Sequence, residues 1–509
     1  MSDFLKVDLI AHNARRNPNK LALIDLPSGR RQTYVQMSER VGRLAHHLHS
    51  LGVSEGDRVG FFALNSTDIL DLTFAVWRLK GVVLALNFRL TAAELKFIVD
   101  DASPDVVVFD RELSGVQADL AETTNVKHWI ETDGMGGSSD FEDAIDNASD
   151  SILESPDQAL SAQAMLMYSS GTTGRPKGVI ITHAMLHFSA AAGQMPGKGS
   201  QDSVSLAAMP LFHIAAMNVS CLPYMSAGAT AIVMRQFEPG AVLDAISDPA
   251  LAVSHFFAVP AAFNAMRQHP QSATSDYSRL VTVASGAETV PEPLVRWWGE
   301  YGITVQEGYG LTETAGQGCF LAFEDVADKT GSAGRSLIHS RLKIMADPDR
   351  EADDDEPGEI WIKGNVVTPG YWNRPEATAE AIVDGWFKTG DIGRRDAGGY
   401  FYIEDRVKDM YISGGENIYP AEIESLLYEL DEIREVAVIG LPDEKWGEIG
   451  CAIVALKEGQ SLSLETILSH CEGRLATFKH PAHLKFVEVL PRNATGKVLK
   501  FQLRTQFGS

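Results

Sequence analysis

The chain reads as an α/β protein, with a large N-terminal domain of mainly parallel β-sheets flanked by helices and a small α/β C-terminal domain. Three observations predict this. Helix and strand signals alternate through the first third of the chain, and a second, shorter alternation restarts past Arg406. The 509 residues, 45% of them hydrophobic, are also enough for more than one core. The expected boundaries are 1–406 and 407–509.

The elements follow in order. Met37, Val41, Leu44, Ala45, Leu48 and Leu51 recur at helical spacing, and Gly52 can end that helix. Arg58 to Leu64 reads as a short buried strand, and Asp105 to Phe109 as another. Between them Thr91 and Glu94 form a capping-box pattern ahead of Leu95, Phe97 and Ile98. The acidic run Asp347 to Glu356, ending at Pro357-Gly358, reads as a solvated surface loop. Past Arg406, Pro420 opens a helix with Ile423, Leu426 and Leu427 on one face. Strands are expected at Val436–Ile439, Cys451–Leu456 and Leu484–Val489, with a helix from Leu464 to Leu475.

The formal net charge of −24 speaks against wrapping nucleic acid or coating an anionic membrane. An anionic ligand must then be held by local positive charge and backbone N–H groups. Cys221, Cys319, Cys451 and Cys471 form no C-x-x-C pair, so neither zinc ligation nor a disulfide framework is supported, and a reducing cytoplasm is expected. Met1 to Lys20 lacks the hydrophobic core of a signal peptide. Ser203 to Met234 has no charged residue, but Pro210, Asn218, Pro223 and Gly228 interrupt it, which suits buried strands and loops around a pocket better than a membrane span.

The segment Tyr168 to Val179 packs Ser169, Ser170, Thr172 and Thr173 around Gly171, Gly174 and Gly178, with Lys177. Glycines let the backbone approach an anion, hydroxyls add donors, and lysine adds a mobile charge. That composition suits a polyphosphate, yet it is also that of an ordinary surface loop, and composition alone does not separate the two. The loop is not G-x-x-x-x-G-K-[ST]: counted from Gly171, Pro176 takes the second glycine's place and Gly178 follows Lys177. A G-x-G-x-x-G turn after a strand is not evident either. His183 and His187, four apart, lack a visible third ligand for a metal.

Further segments decide the matter. The loop is very similar to the signature of the adenylate-forming superfamily of acyl-CoA synthetases, peptide-synthetase adenylation domains and beetle luciferases. Pro210–His213, Ser285–Glu288, Tyr309–Thr314, Thr389–Asp391, Asp405–Asp409 leading to Ser413–Asn417, and Pro491–Lys497 resemble that family's motifs and follow its order. Before Tyr168 only the general pattern carries the likeness.

The resemblance implies a carboxylate–thiol ligase that uses ATP, Mg²⁺ and coenzyme A. By it, Ser169, Ser170, Gly171, Thr172, Thr173, Gly174 and Lys177 cradle phosphates. Gly286, Ala287 and Glu288 line the adenine pocket, and Tyr309 stacks on the base. Thr312 donates to the α-phosphate, and Glu313, with Thr172, holds Mg²⁺. Asp391 accepts the ribose hydroxyls, Arg406 contacts ribose or phosphate, and His213 stands by the acyl and thiol passages. Lys497 bridges the substrate carboxylate and the α-phosphate, Lys408 is the hinge that makes the small C-terminal domain mobile, and Gly414–Gly415 faces the thiol tunnel. Ala215, Ala216, Met217, Val259, Ala262, Gly310 and Cys319 are candidate liners of an apolar acyl pocket, which suits a fatty or aryl acid. Alternatives are an acyl-AMP ligase that loads a carrier protein, a luciferase-like oxidation, and a nucleotide-binding regulator without turnover.

Overall fold

The computed structural model describes residues 8–149, 157–169, 176–288, 290–406, 409–413, 416–443, 446–472, 474–475, 477–492 and 498–508. Among these, strands assemble into two large, mainly parallel sheets, one antiparallel sheet and one small C-terminal sheet. Parallel pairing follows from the crossovers: the strand Arg58–Phe62 leads through the helix Thr67–Arg78 to Val82–Ala85, which lies parallel beside it. These strands are apolar on both faces because helices cover both sides, so Val106–Asp110 is buried throughout.

The other large sheet sets the strands Val204–Ala207, His255–Ala258, Thr282–Gly286 and Val305–Tyr309 side by side and parallel. Chain connections after all four leave from the same edge. Ligands of open α/β sheets bind outside such carboxyl ends.

A six-stranded antiparallel sheet, built around Ser340–Asp347, Gly358–Gly364 and Trp386–Arg395, had no expectation in the sequence reading. It absorbs the acidic run. Residues 347–356 turn between two of its strands, carry the two-residue strand Arg350–Glu351, and are mostly exposed.

Past Tyr411 the chain builds its own cores. One gathers Tyr411, Ile423, Val438, Val454 and Ile467; another gathers Ile439, Ile453, Leu490 and Leu503. The long hairpin Ile433–Asp443 with Gly447–Leu456 is their frame; its first strand outruns the expected one at both ends, and its second begins earlier but ends at Leu456 as expected. The helix beginning at Leu464 ends at Cys471, and the last strand is His483–Phe486. Val489, counted into that strand by its apolarity, lies exposed.

Local signals held elsewhere. The helix Tyr34–Ser50 buries Met37, Val41, Leu44, Ala45 and Leu48. The Thr91–Glu94 capping box forms, with the Glu94 N–H donating to Thr91 Oγ1 at 3.4 Å and the Thr91 N–H donating back to Glu94 Oε2 at 2.8 Å. The uncharged stretch Ser203 to Met234 folds into two strands, a short helix and the π-helix Ala216–Cys221. Among the described residues no helix is long and apolar enough to cross a membrane. All four cysteines are free and buried.

Candidate active site

One cleft of about 990 Å³ runs along the carboxyl ends of the parallel strands and under the C-terminal unit. Each strand end delivers part of its wall. Thr282–Gly286 ends in Gly286-Ala287-Glu288, and Val305–Tyr309 ends in Tyr309-Gly310. The backbones there press together. A Cβ on Gly286 would lie 2.4 Å from the Gly308 carbonyl oxygen, and one on Gly310 would lie 2.4 Å from the Gly316 carbonyl. No side chain fits at either position, which explains both glycines. Ala287 takes φ +72°, a left-handed conformation rarely adopted by a residue with a Cβ.

Asp391 enters from the antiparallel sheet. It is 6% exposed and accepts a hydrogen bond from the Tyr309 hydroxyl at 2.7 Å. Burial raises the Tyr309 phenol well above its ordinary range, and the Asp391 charge adds to the effect. Glu313, 8% exposed, accepts from the Tyr371 hydroxyl at 3.1 Å and from Ser169 Oγ at 3.4 Å. The Lys177 ammonium stands 5.2 Å from the centre of the Tyr371 ring. Tyr371, absent from the sequence reading, therefore ties together the strand that ends at Ser169, Lys177 and Glu313.

The C-terminal segment closes the cleft over Glu288. The Val498 N–H donates to Glu288 Oε1 at 3.1 Å, and the Arg492 guanidinium lies 3.6 Å from Glu288 Oε2 while pairing with Glu435 at 2.7 Å. Glu288 thus touches the closing segment, a contact that no motif predicts.

The cleft brings together Ser169, Lys177, His213, Ala215, Ala216, Val259, Gly286, Ala287, Glu288, Tyr309, Gly310, Thr312, Glu313, Cys319 and Asp391. Met217 and Ala262 do not line it; both are buried in the main core. The helix Pro260–Gln268 explains Ala262. It turns Pro260, Ala261, Asn264 and Arg267 to the cleft, so Ala262 faces the other way. Ser170, Gly171, Thr172, Thr173, Gly174, Lys408, Gly414, Gly415 and Lys497 lie outside the described residues. Arg406 ends the strand Phe401–Arg406, opposite Asp391 in register.

Besides Tyr371, the sequence reading missed Glu307, Arg267 and Gln317. Glu307 directly precedes Gly308-Tyr309, 6% exposed, and burial pushes its carboxyl up to about 8. Arg267 faces Tyr428 and Asp431 of the C-terminal unit, and burial lowers its guanidinium.

A cleft at parallel strand ends, closed by a small second unit that grips one strand-end glutamate, is the architecture of an adenylate-forming enzyme. The AMP-binding enzyme family model matches residues 10–372, and its C-terminal domain model matches residues 422–497. The chain is 37% identical over 509 residues to the long-chain-fatty-acid–CoA ligase of Mycobacterium tuberculosis, covering 98% of each chain. It is 37% identical to a feruloyl-CoA synthase of Amycolatopsis, covering 97% of each. The o-succinylbenzoate CoA synthetase of Bacillus subtilis, solved with its acyl-adenylate intermediate, superposes with a TM-score of 0.87 at 29% identity, covering 98% of each. The chain belongs to the AMP-binding enzyme family. Within it, the chain is an AMP-forming acid–CoA ligase, with ATP and coenzyme A as substrates.

Proposed function

We propose that the acid has an apolar fatty or aryl body and that the two half-reactions use two arrangements of one mobile C-terminal domain. The observation that carries this is the Val498–Glu288 contact. It sets the residue next to Lys497 against the cleft that holds Tyr309, Asp391 and Glu313.

In the first half-reaction a carboxylate oxygen attacks the α-phosphorus of ATP and pyrophosphate leaves. Anion must meet anion, so positive charge has to be positioned beforehand. Lys497 bridges the carboxylate and the α-phosphate and orients the attack. Lys177 and the loop from Ser169 to Gly174 hold the departing phosphates, and Thr312 donates to the α-phosphate. Tyr309 offers its face to adenine, Gly286, Ala287 and Glu288 line that pocket, Asp391 takes the ribose hydroxyls, and Arg406 contacts ribose or phosphate. Tyr309 also fixes Asp391 through the 2.7 Å bond.

Glu313 fits a magnesium ion. It is a buried carboxylate that accepts from the Tyr371 and Ser169 hydroxyls, and Mg²⁺ takes one or two carboxylates plus phosphate oxygens. Glu313 and Thr172 would hold that ion, which neutralises phosphate charge when bound.

In the second half-reaction the thiol attacks the acyl carbon and AMP leaves. The domain boundary falls at 406/407, and rotation about Lys408 withdraws Lys497 and brings Gly414–Gly415 to the thiol passage beside His213. The acid follows from the lining: Ala215, Ala216, Val219, Phe257 and Val259 are apolar or small. The names of the relatives, a fatty and a feruloyl ligase, support the same range. Four free, buried cysteines support a cytoplasmic setting.

Pyrophosphate release across short, medium and long fatty acids and aryl acids, with and without coenzyme A, tests the proposal. Turnover with some of these acids, rising with coenzyme A, is expected. Release that ignores coenzyme A would point to a carrier protein as acceptor, and release with none of the medium, long or aryl acids but with small polar acids added to the panel would refute the apolar-body reading.

A further inference from the structure

Among the described residues, the cleft wall carries an amide side chain that makes no hydrogen bond. Gln317 is 8% exposed and lines the cleft. Its main-chain N–H donates to the Thr314 carbonyl at 3.1 Å, but its carboxamide has no hydrogen-bond partner among the described residues. The carboxamide oxygen and nitrogen are not among the fully buried atoms, so water in the cleft can reach them, and an acid that fills the cleft displaces that water and leaves the amide unpaired unless it brings a partner of its own.

The surroundings say which part of the cleft the amide serves. It lies over Gly193 of the helix His183–Gln194, where a Cβ would come within 3.0 Å of Gln317 Nε2, so the glycine makes room for it. The adjoining Gly316 faces Val219 and Ile214, and Ala215 and Ala216 complete that wall. The nearby Asn218 is different. It is fully buried, but its Nδ2 donates to Ser189 Oγ at 2.9 Å and to the Ala315 carbonyl at 2.7 Å, inside the π-helix Ala216–Cys221. Asn218 spends its amide hydrogens on the scaffold, and Gln317 keeps both its donors and its acceptor for the cleft.

We infer that Gln317 is a specificity-determining residue that reads a hydrogen-bonding oxygen, such as a hydroxyl, on the otherwise apolar body of the acid. The inference rests on the ligase reading above and narrows its substrate class. An apolar pocket alone does not strongly reject or favour a hydroxyl, whereas a buried amide left unpaired by a plain hydrocarbon discriminates against it.

Matched acids test this: cinnamate against its para-hydroxylated form, and decanoate against its omega-hydroxylated form, by kcat/KM for pyrophosphate release. The wild-type enzyme should favour the hydroxylated member of at least one pair by about tenfold, roughly 1.4 kcal/mol. Gln317→Leu should remove most of that preference by changing the ratio rather than the overall rate alone. A wild-type enzyme that favours the plain member of both pairs overturns the inference, whether or not the variant folds. So does a folded Gln317→Leu enzyme with an unchanged ratio. Absence of release with every acid would overturn the ligase reading itself, and this inference with it.

Discussion

Replacing Arg492 with methionine should slow adenylation more than thioester formation. Among the described residues, Arg492 forms ion pairs with Glu288 and with Glu435, and they do different work. The pair with Glu435, at 2.7 Å, lies within the C-terminal unit and survives any rotation of it. The pair with Glu288, at 3.6 Å, crosses to a strand end that lines the cleft. Only the second biases the docked arrangement. Its side chains are 19% and 20% exposed, so solvent screens it and about 1 kcal/mol is a fair value. At roughly 1.4 kcal/mol per tenfold, adenylation falls about fivefold. Glu288→Gln should cost more, because it also weakens the bond from the Val498 N–H from charge-assisted to neutral. That adds about 1 kcal/mol, for roughly thirtyfold in all. The assay compares acid-dependent exchange of labelled pyrophosphate into ATP with thioester formation from supplied acyl-adenylate and coenzyme A. An Arg492→Met enzyme of unchanged melting temperature in which both half-reactions fall equally would refute the reasoning.

Other outcomes follow from the same geometry. Lys497→Ala should lose acid-dependent pyrophosphate release yet keep thioester formation from supplied acyl-adenylate; loss of both steps in a folded protein would break the division of labour. Tyr309→Phe removes the 2.7 Å bond to Asp391 and should raise KM for ATP about tenfold, the worth of a bond of roughly 1.5 kcal/mol to a charged acceptor, read by steady-state kinetics. Glu307, held at about 8 by burial, keeps its proton in the folded chain at pH values where the unfolded chain has lost it. The unfolded state then binds fewer protons, so this group makes stability fall as pH rises from about 4.5 to about 8, by at most roughly 1.4 kcal/mol per pH unit. Melting curves over that range should be flatter in Glu307→Gln; an unaltered slope would mean the carboxyl is ionised in the fold.

Much of this architecture was legible because it is local. A capping box at Thr91, apolar strands with covered faces and glycines at strand ends each declare themselves within a few residues. The antiparallel sheet was not legible, since its strands alternate weakly and pair across intervals that no short pattern encodes. Its strand Trp386–Arg395 nonetheless delivers Asp391. Among the described site residues, most of those carried by motifs, Arg406 excepted, line one cleft, whereas Tyr371 and Gln317 needed the fold. Tyr371 lies in a segment without motif signature, and Gln317 has only its distance from Tyr309 to recommend it. Arg267 carried a weak signal, its spacing from Pro260 and Asn264 on one helical face, which gains meaning only once that face is known to meet the cleft. Met217 and Ala262 show the converse: small or apolar type near a motif does not say which side of a helix meets the ligand.

The central claim is that a carboxylate oxygen of the acid attacks the α-phosphorus of ATP before the thiol takes the acyl group. Oxygen-labelled acid tests it most directly, with the AMP product read by mass spectrometry after turnover with coenzyme A. The account predicts one labelled oxygen in each AMP formed and none in pyrophosphate. Unlabelled AMP beside newly formed thioester would contradict it.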